Sequence, residues 1–170
     1  MNANPELALL RCTPADYGAV AEIYNEYIRG GRSTMEETEK TAVDIAGWVD
    51  HFHEREELWV LRKNGEICGW GIIKRYSDRE GYRFTCETAV YLRSQDRSKG
   101  YGTYLKKHLI ERCRALRYHH LVAKIFAANT HSIEYNRKLG YEIVGAQKEI
   151  GWKNGQWVDV VIMQLLLVER

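Results

Sequence analysis

Apolar positions along the chain follow two periods, and the switches between them mark the elements. Leu7 to Cys12 is a short apolar run of strand character. Thr13-Pro14-Ala15-Asp16 then combines a capping residue, proline at the first helical position and an acid near the end of that turn. Val20, Ile23, Tyr24, Tyr27 and Ile28 recur at helical steps until Gly30-Gly31 stops the pattern. After a polar loop from Arg32 to Lys40, Thr41 with Asp44 predicts a second capping box, opening a helix through Trp48 to about Arg55. Leu58 to Leu61 and Ile67 to Ile73 flank Asn64-Gly65, a dipeptide that accepts the positive φ angles of a tight hairpin turn. Tyr82 to Leu92 predicts a further strand. Gly100 to about Arg117 predicts a helix, with Leu105, Leu109, Cys113 and Leu116 on one face. Leu121 to Ala127 reads as a strand and Thr130 to Leu139 as a short helix. Tyr141 to Glu149 and Gln156 to Val168 form a last hairpin around Lys153-Asn154-Gly155.

That order predicts an α/β (α+β) fold: a mixed, mostly antiparallel sheet of about seven strands with helices on both faces. With 170 residues, residues 1–170 are expected to form one domain. Composition narrows the classes further. Hydrophobic residues make up 45% and charged residues 28%, a globular balance, and the net charge of +2 is spread without a basic run, so no nucleic-acid partner is expected. No apolar stretch approaches the roughly 18 residues of a membrane span, and Met1 to Glu6 lacks a signal-peptide layout, so no membrane partner and a cytoplasmic location are expected. Cys12, Cys68, Cys86 and Cys113 are too dispersed for a zinc site or a disulfide framework and read as reduced core residues. The six histidines show no H-E-x-x-H spacing, and no metal is expected.

Candidate chemistry begins at Arg97-Ser98-Lys99-Gly100-Tyr101-Gly102-Thr103, which lies between a predicted strand and a predicted helix. Free backbone N–H groups and the positive end of a helix make such a loop an anion site. Gly100 and Gly102 admit close approach, and Arg97 and Lys99 add charge. The loop lacks the Lys-Ser/Thr of a Walker motif and the third glycine of a dinucleotide fingerprint, which leaves coenzyme A as the better ligand. The bland alternative is a turn that starts a helix.

Val90-Tyr91-Leu92, a four-residue turn and R-x-x-G-x-G resemble the acyl-CoA motif of the GNAT N-acetyltransferase superfamily. Four ordered segments resemble its phosphinothricin and methionine sulfoximine acetyltransferase branch: Ala21 to Ile28, Thr85 to Tyr91, Asn129 to Ser132 and Trp152 to Val160. The resemblance implies an acetyl-CoA-dependent enzyme that acetylates the amino group of a small amino-acid-like substrate in a ternary complex. It implies that Val90 and Leu92 bind the pantetheine arm through their main chain, with an N–H there polarising the thioester carbonyl. Residues 97–103, Asn129 and Ser132 would hold the rest of the coenzyme. It also implies Glu87 as general base, beside Thr88 in the amine site, and a pKa raised by an apolar strand. Without the resemblance Glu87 reads as a carboxylate on a solvated strand face.

Tyr76, Arg79 and Tyr82 resemble the branch's F-x-x-R-x-x-Y segment, in which arginine grips a substrate carboxylate; otherwise Arg79 is a surface loop residue. Ser77 and Met35 depart from the branch pattern. Asn136 stands where the family often has tyrosine or histidine as the acid, and neighbouring Tyr135 points about 100° away on a helix, so the proton donor stays unassigned. Trp152, Trp157 and Asp159 read as cross-strand packing, and a homodimer is implied by resemblance alone. Two other readings stay open: a protein, peptide or polyamine acetyltransferase, and a non-catalytic acyl-CoA sensor.

Overall fold

A computed structural model describes residues 6–168; of the Met1 to Glu6 segment only Glu6 is among them, so the leader reading lies outside the described residues, as do the two ends of the 1–170 span. The strands are β1 (Leu7–Arg11), β2 (Glu57–Lys63), β3 (Glu66–Arg75), β4 (Thr85–Leu92), β5 (His120–Phe126), β6 (Glu142–Lys153) and β7 (Gln156–Leu166). They form one sheet in the order β1-β2-β3-β4-β5-β7-β6, antiparallel throughout except for the parallel pair β4 and β5. The helices are α1 (Tyr17–Gly30), α2 (Ala42–Asp50), α3 (Tyr101–Ala115) and α4 (Thr130–Lys138).

Strand alternation sends successive side chains to opposite faces, and each face has its own core. Val60, Trp70 and Ile72 meet Val20, Ile23 and Tyr24 of α1 and Ile45 of α2. Ile73 and Cys86 meet Leu109 and Cys113 of α3, together with Leu121 and Met163. Gly71 sits under α3, where an added Cβ would come within 2.8 Å of Leu109. The hairpin turn is built as expected, with Asn64 at φ 50° and Gly65 at φ 86°.

Several boundaries differ from the sequence expectations. The second helix ends at Asp50 rather than near Arg55, because the His51 ring meets the Gly47 carbonyl at 2.7 Å and the Glu56 carboxylate turns back to the His53 amide. The strand expected from Tyr82 begins at Thr85; Glu80–Tyr82 is a 3₁₀ turn that draws the Arg83 amide onto the Glu80 carbonyl. β6 continues past Glu149 to Lys153, with two register shifts, while β7 stops at Leu166, short of Val168. Among the described residues no helix is long and apolar enough to cross a membrane. All four cysteines are free thiols, and Cys12 is half-buried whereas the other three are buried.

Candidate active site

The β4–β5 ladder is short. It pairs Thr85 with His120, Cys86 with Leu121 and Glu87 with Val122, and then the strands part. A cavity of about 490 Å³ opens in the gap, lined on one side by Thr88 to Leu92 and on the other by Ala123 to Phe126. Two contacts fix how β4 presents its backbone there. The Tyr27 hydroxyl, from α1, accepts from the Leu92 amide and donates to the Leu92 carbonyl, each at 3.0 Å. Lys106 of α3 donates to the Thr88 carbonyl at 3.2 Å. In an antiparallel strand the residues whose N–H and C=O leave by the same edge alternate, so Val90, between Thr88 and Leu92, directs both groups into the gap rather than toward β3. Val90 thus supplies a main-chain donor, whereas the groups of Leu92 are engaged by Tyr27.

The loop after β4 closes one end of the cavity. Ser98 and Gly100 both adopt positive φ, 62° and 83°, and Gly100 caps α3, whose first amides open toward the loop. Arg97, Ser98, Gly100, Gly102 and Thr103 line the cavity, as do Asn129 and Ser132 at the start of α4. The Arg97 guanidinium lies 4.3 Å from the Tyr27 ring centroid and 3.6 Å from Glu26. Lys99 and Tyr101, expected with them, point elsewhere: Lys99 pairs with buried Asp96 at 3.6 Å, and Tyr101 packs against the cluster of Leu61, Cys68, Leu92 and Leu105. The Asn129 side chain accepts from the Ser132 amide at 3.1 Å, so it caps α4 from within the cavity wall.

Glu87 sits at the other end, where the ladder stops. The apolar surroundings expected for it are absent. Its side chain is 32% exposed and paired with Lys124 of β5 at 2.5 Å, and Lys74 stands opposite it on β3. Lys124 lines the cavity and its ammonium lies 5.6 Å from the Tyr76 ring, which meets Tyr82 edge-on at 5.3 Å. Tyr76, Tyr82 and Glu87 are thus gathered around Lys124 where the strands part, beside the cavity rather than in its wall, whereas the Thr88 side chain lines the cavity and is buried against Tyr141 and Lys106. Arg79 is on the exposed loop outside the cavity, and its amide donates to the Ser77 hydroxyl at 3.2 Å.

Three residues of the site escaped sequence reasoning. In the sequence Tyr27 is one of the apolar positions on a helix face, and Lys124 is a single charge within an apolar strand. Lys106 is 2% exposed and lies three residues before Leu109 and seven before Cys113; that spacing places it on the buried stripe. Burial pushes its pKa down to about 8. Asn136 is also buried; its amide group donates to the Ser132 carbonyl, and its Oδ1 has no hydrogen-bond partner. Met35 lies against Gly151, and Lys153 reaches the Glu36 carbonyl, so the β6–β7 hairpin packs on the loop after α1. Trp152 and Trp157 pack as a cross-strand pair, ring centroids 4.9 Å apart, and both remain more than half exposed. Asp159 pairs with Lys148 at 2.7 Å. Among the described residues no cluster of three His, Cys, Asp or Glu side chains is placed to hold a metal ion.

Residues 10–162 match the family model described as an acetyltransferase (GNAT) domain. An L-methionine sulfoximine/L-methionine sulfone acetyltransferase of Pseudomonas aeruginosa is 35% identical over 156 residues, covering 90% of each chain. A phosphinothricin N-acetyltransferase of Alcaligenes faecalis is 30% identical, covering 94% of this chain and 84% of the relative. A crystal structure of a GNAT superfamily phosphinothricin acetyltransferase from Sinorhizobium meliloti, in complex with acetyl-CoA, superposes with a TM-score of 0.89 at 32% identity, over 95% of this chain and 88% of that one. A sheet that splits beside a glycine-bearing helix start, matched along nearly its whole length, places this chain in the GNAT family of acetyltransferases.

Proposed function

We propose that this enzyme transfers the acetyl group of acetyl-CoA to the amino group of a small amino-acid-like substrate of the methionine sulfoximine, methionine sulfone or phosphinothricin type. The observation that carries the reading is the β4–β5 gap: the start of α3 closes one end of its cavity, and Glu87 stands at the last paired position of the ladder, against the cavity-lining Lys124. The relatives' named substrates supply the amine class.

In this reading the coenzyme's phosphates meet the loop of Arg97, Ser98 and Gly100 to Thr103, while Asn129 and Ser132 flank the pantetheine arm. Lys99 acts through charge alone, from beside Asp96. The Val90 N–H donates to the thioester oxygen, where negative charge develops as the amine adds. The substrate arrives as an ammonium ion, takes the place of the Lys124 ammonium at Glu87, and gives up a proton there before its lone pair attacks. Tyr76, Tyr82 and Thr88 wall the amine site, and Arg79 swings in from its exposed loop to pair with the substrate carboxylate.

The test is thiol release from acetyl-CoA across a panel of phosphinothricin, methionine sulfoximine, methionine sulfone, the common amino acids, peptides and polyamines. Turnover on the sulfoximine, the sulfone or phosphinothricin is expected. Turnover confined to peptides or polyamines would reject the substrate class, and binding of acetyl-CoA without turnover would favour a sensor. The same reading includes one domain over residues 1–170, a cytoplasmic setting in keeping with the unbonded Cys86 and Cys113 sulfurs 3.6 Å apart, and a homodimer covering the exposed Trp152–Trp157 pair. Sedimentation as a monomer at micromolar concentration would remove the dimer.

A further inference from the structure

The proton that the departing sulfur takes up has no donor at the position where the family usually keeps one. Asn136 carries no acidic proton. Tyr135 donates its hydroxyl to the Gly102 carbonyl at 2.7 Å, and burial pushes its pKa up. Tyr141 pairs with Thr88 Oγ1 at 3.1 Å, and burial raises its pKa as well. Both phenols hold their protons firmly and already have partners.

Lys106 differs from all of these. Its Nζ bonds to Thr88 Oγ1 at 2.7 Å and to the Thr88 carbonyl at 3.2 Å, and it makes no ion pair among the described residues. Two of its three N–H groups are therefore engaged, both by one residue. It lines the same cavity as Thr88, Val90 and Asn136, whose unpartnered Oδ1 marks that stretch of wall as built for a polar ligand. The titratable groups that face it are Cys86 of β4, Cys113 on its own helix and the Tyr141 ring at 5.0 Å.

Resting on the acetyl-transfer reading above, we infer that Lys106 is the proton donor to the CoA sulfur as it leaves the thioester. The amine nitrogen bonds to the acetyl carbon and the C–S bond breaks, leaving its electron pair on sulfur. Sulfur takes a proton from the Lys106 ammonium, and the neutral amine regains one from solvent, while the substrate's proton departs through Glu87. A lysine whose pKa lies at about 8 is charged at neutral pH, and it is close in acidity to an ordinary thiol at roughly 8.5, which suits transfer between the two.

The experiment measures kcat against pH with the best amine of the panel, for wild type, Lys106→Met and Lys106→Arg, together with acetyl-CoA affinity by calorimetry. Lys106→Met is expected to lose about 10²-fold in kcat, while the acetyl-CoA Kd rises by less than about tenfold through the lost bond to the Thr88 carbonyl. Lys106→Arg keeps the cation but holds its proton, and is expected to be equally slow. The wild-type kcat should fall above about pH 8, and that limb should be missing in both variants. An arginine variant as fast as wild type, or a methionine variant within about threefold of it, would overturn the assignment while leaving acetyl transfer intact. If the methionine variant fails to fold, the arginine variant and the wild-type limb decide. Absence of turnover by wild type on every amine would reject the underlying reading instead.

Discussion

Lys124 and Glu87 face each other across β5 and β4 at the point where the two strands part, their charged groups 2.5 Å apart. The pair joins the end of the parallel ladder to the mouth of the gap, and it sets a condition on catalysis: an incoming ammonium competes with Lys124 for the carboxylate. Exposed pairs of this kind are worth about 0.2–1 kcal/mol. Lys124→Met is therefore expected to lower KM for the amine by up to about fivefold, leaving acetyl-CoA affinity unchanged. Steady-state kinetics at low salt checks this, and a raised KM would mean that Lys124 helps to hold the substrate.

Gly102 has no positive φ, and an added Cβ would meet the Leu92 side chain at 3.5 Å, an ordinary contact. Gly102→Ala should therefore leave thermal stability nearly unchanged while raising the Kd for acetyl-CoA, because the methyl group crowds the first turn of α3 where phosphate approaches. Gly100, at φ 83°, is expected to behave differently: Gly100→Ala strains the backbone by about 1–2 kcal/mol and lowers Tm as well. Calorimetry and thermal unfolding of the two variants separate these effects.

Tyr27 ties α1 to the last residue of β4 through one hydroxyl that serves both the amide and the carbonyl of Leu92. Tyr27→Phe removes both bonds in a part-buried setting and is expected to cost about 1–3 kcal/mol in urea unfolding. Acetyl-CoA affinity should fall with it, since the strand that presents Val90 loses its anchor. An unchanged midpoint would show that water replaces the hydroxyl without loss.

Lys106 also leaves a mark on stability. Its folded pKa, about 8, lies below the ordinary lysine value of 10.5, so between those values the unfolded chain binds more protons and this group makes stability rise with pH. Cys12 works in the opposite direction: burial raises its thiol to about 12, so the unfolded chain ionises first and stability falls from about pH 9 upward. The comparison that isolates Lys106 is wild type against Lys106→Met. The variant is expected to be more stable at pH 7, by on the order of 1–3 kcal/mol, with the difference shrinking toward pH 10.5. Urea midpoints across that range check it.

The sheet, its order of elements and the phosphate loop were legible in the sequence because each rests on local signals. Hydrophobic period marks the strands and helices, Asn64-Gly65 the hairpin, Thr41 with Asp44 a helix start, and Gly100 the cap of α3. What depended on tertiary geometry was not legible. The stop of α2 at Asp50 is set by the His51 ring and the turn bonded by Glu56. The environment of Glu87 is set by Lys124, thirty-seven positions away along the chain. Lys106 lies next to Leu105 and Lys107 in a segment that looks solvated, and only the packing of Thr88 and Tyr141 over it reveals a buried cation. Arg79 was read from a resemblance of spacing, and the loop that carries it stands clear of the gap.

Glu87→Gln, assayed with methionine sulfone and acetyl-CoA at neutral pH, tests the central claim most directly. The variant keeps the shape of the side chain but removes its capacity to accept a proton, so kcat is expected to fall by about 10²- to 10⁴-fold with acetyl-CoA affinity unaltered. A kcat equal to that of the wild type would contradict the claim, because the ammonium would then be losing its proton to some other group.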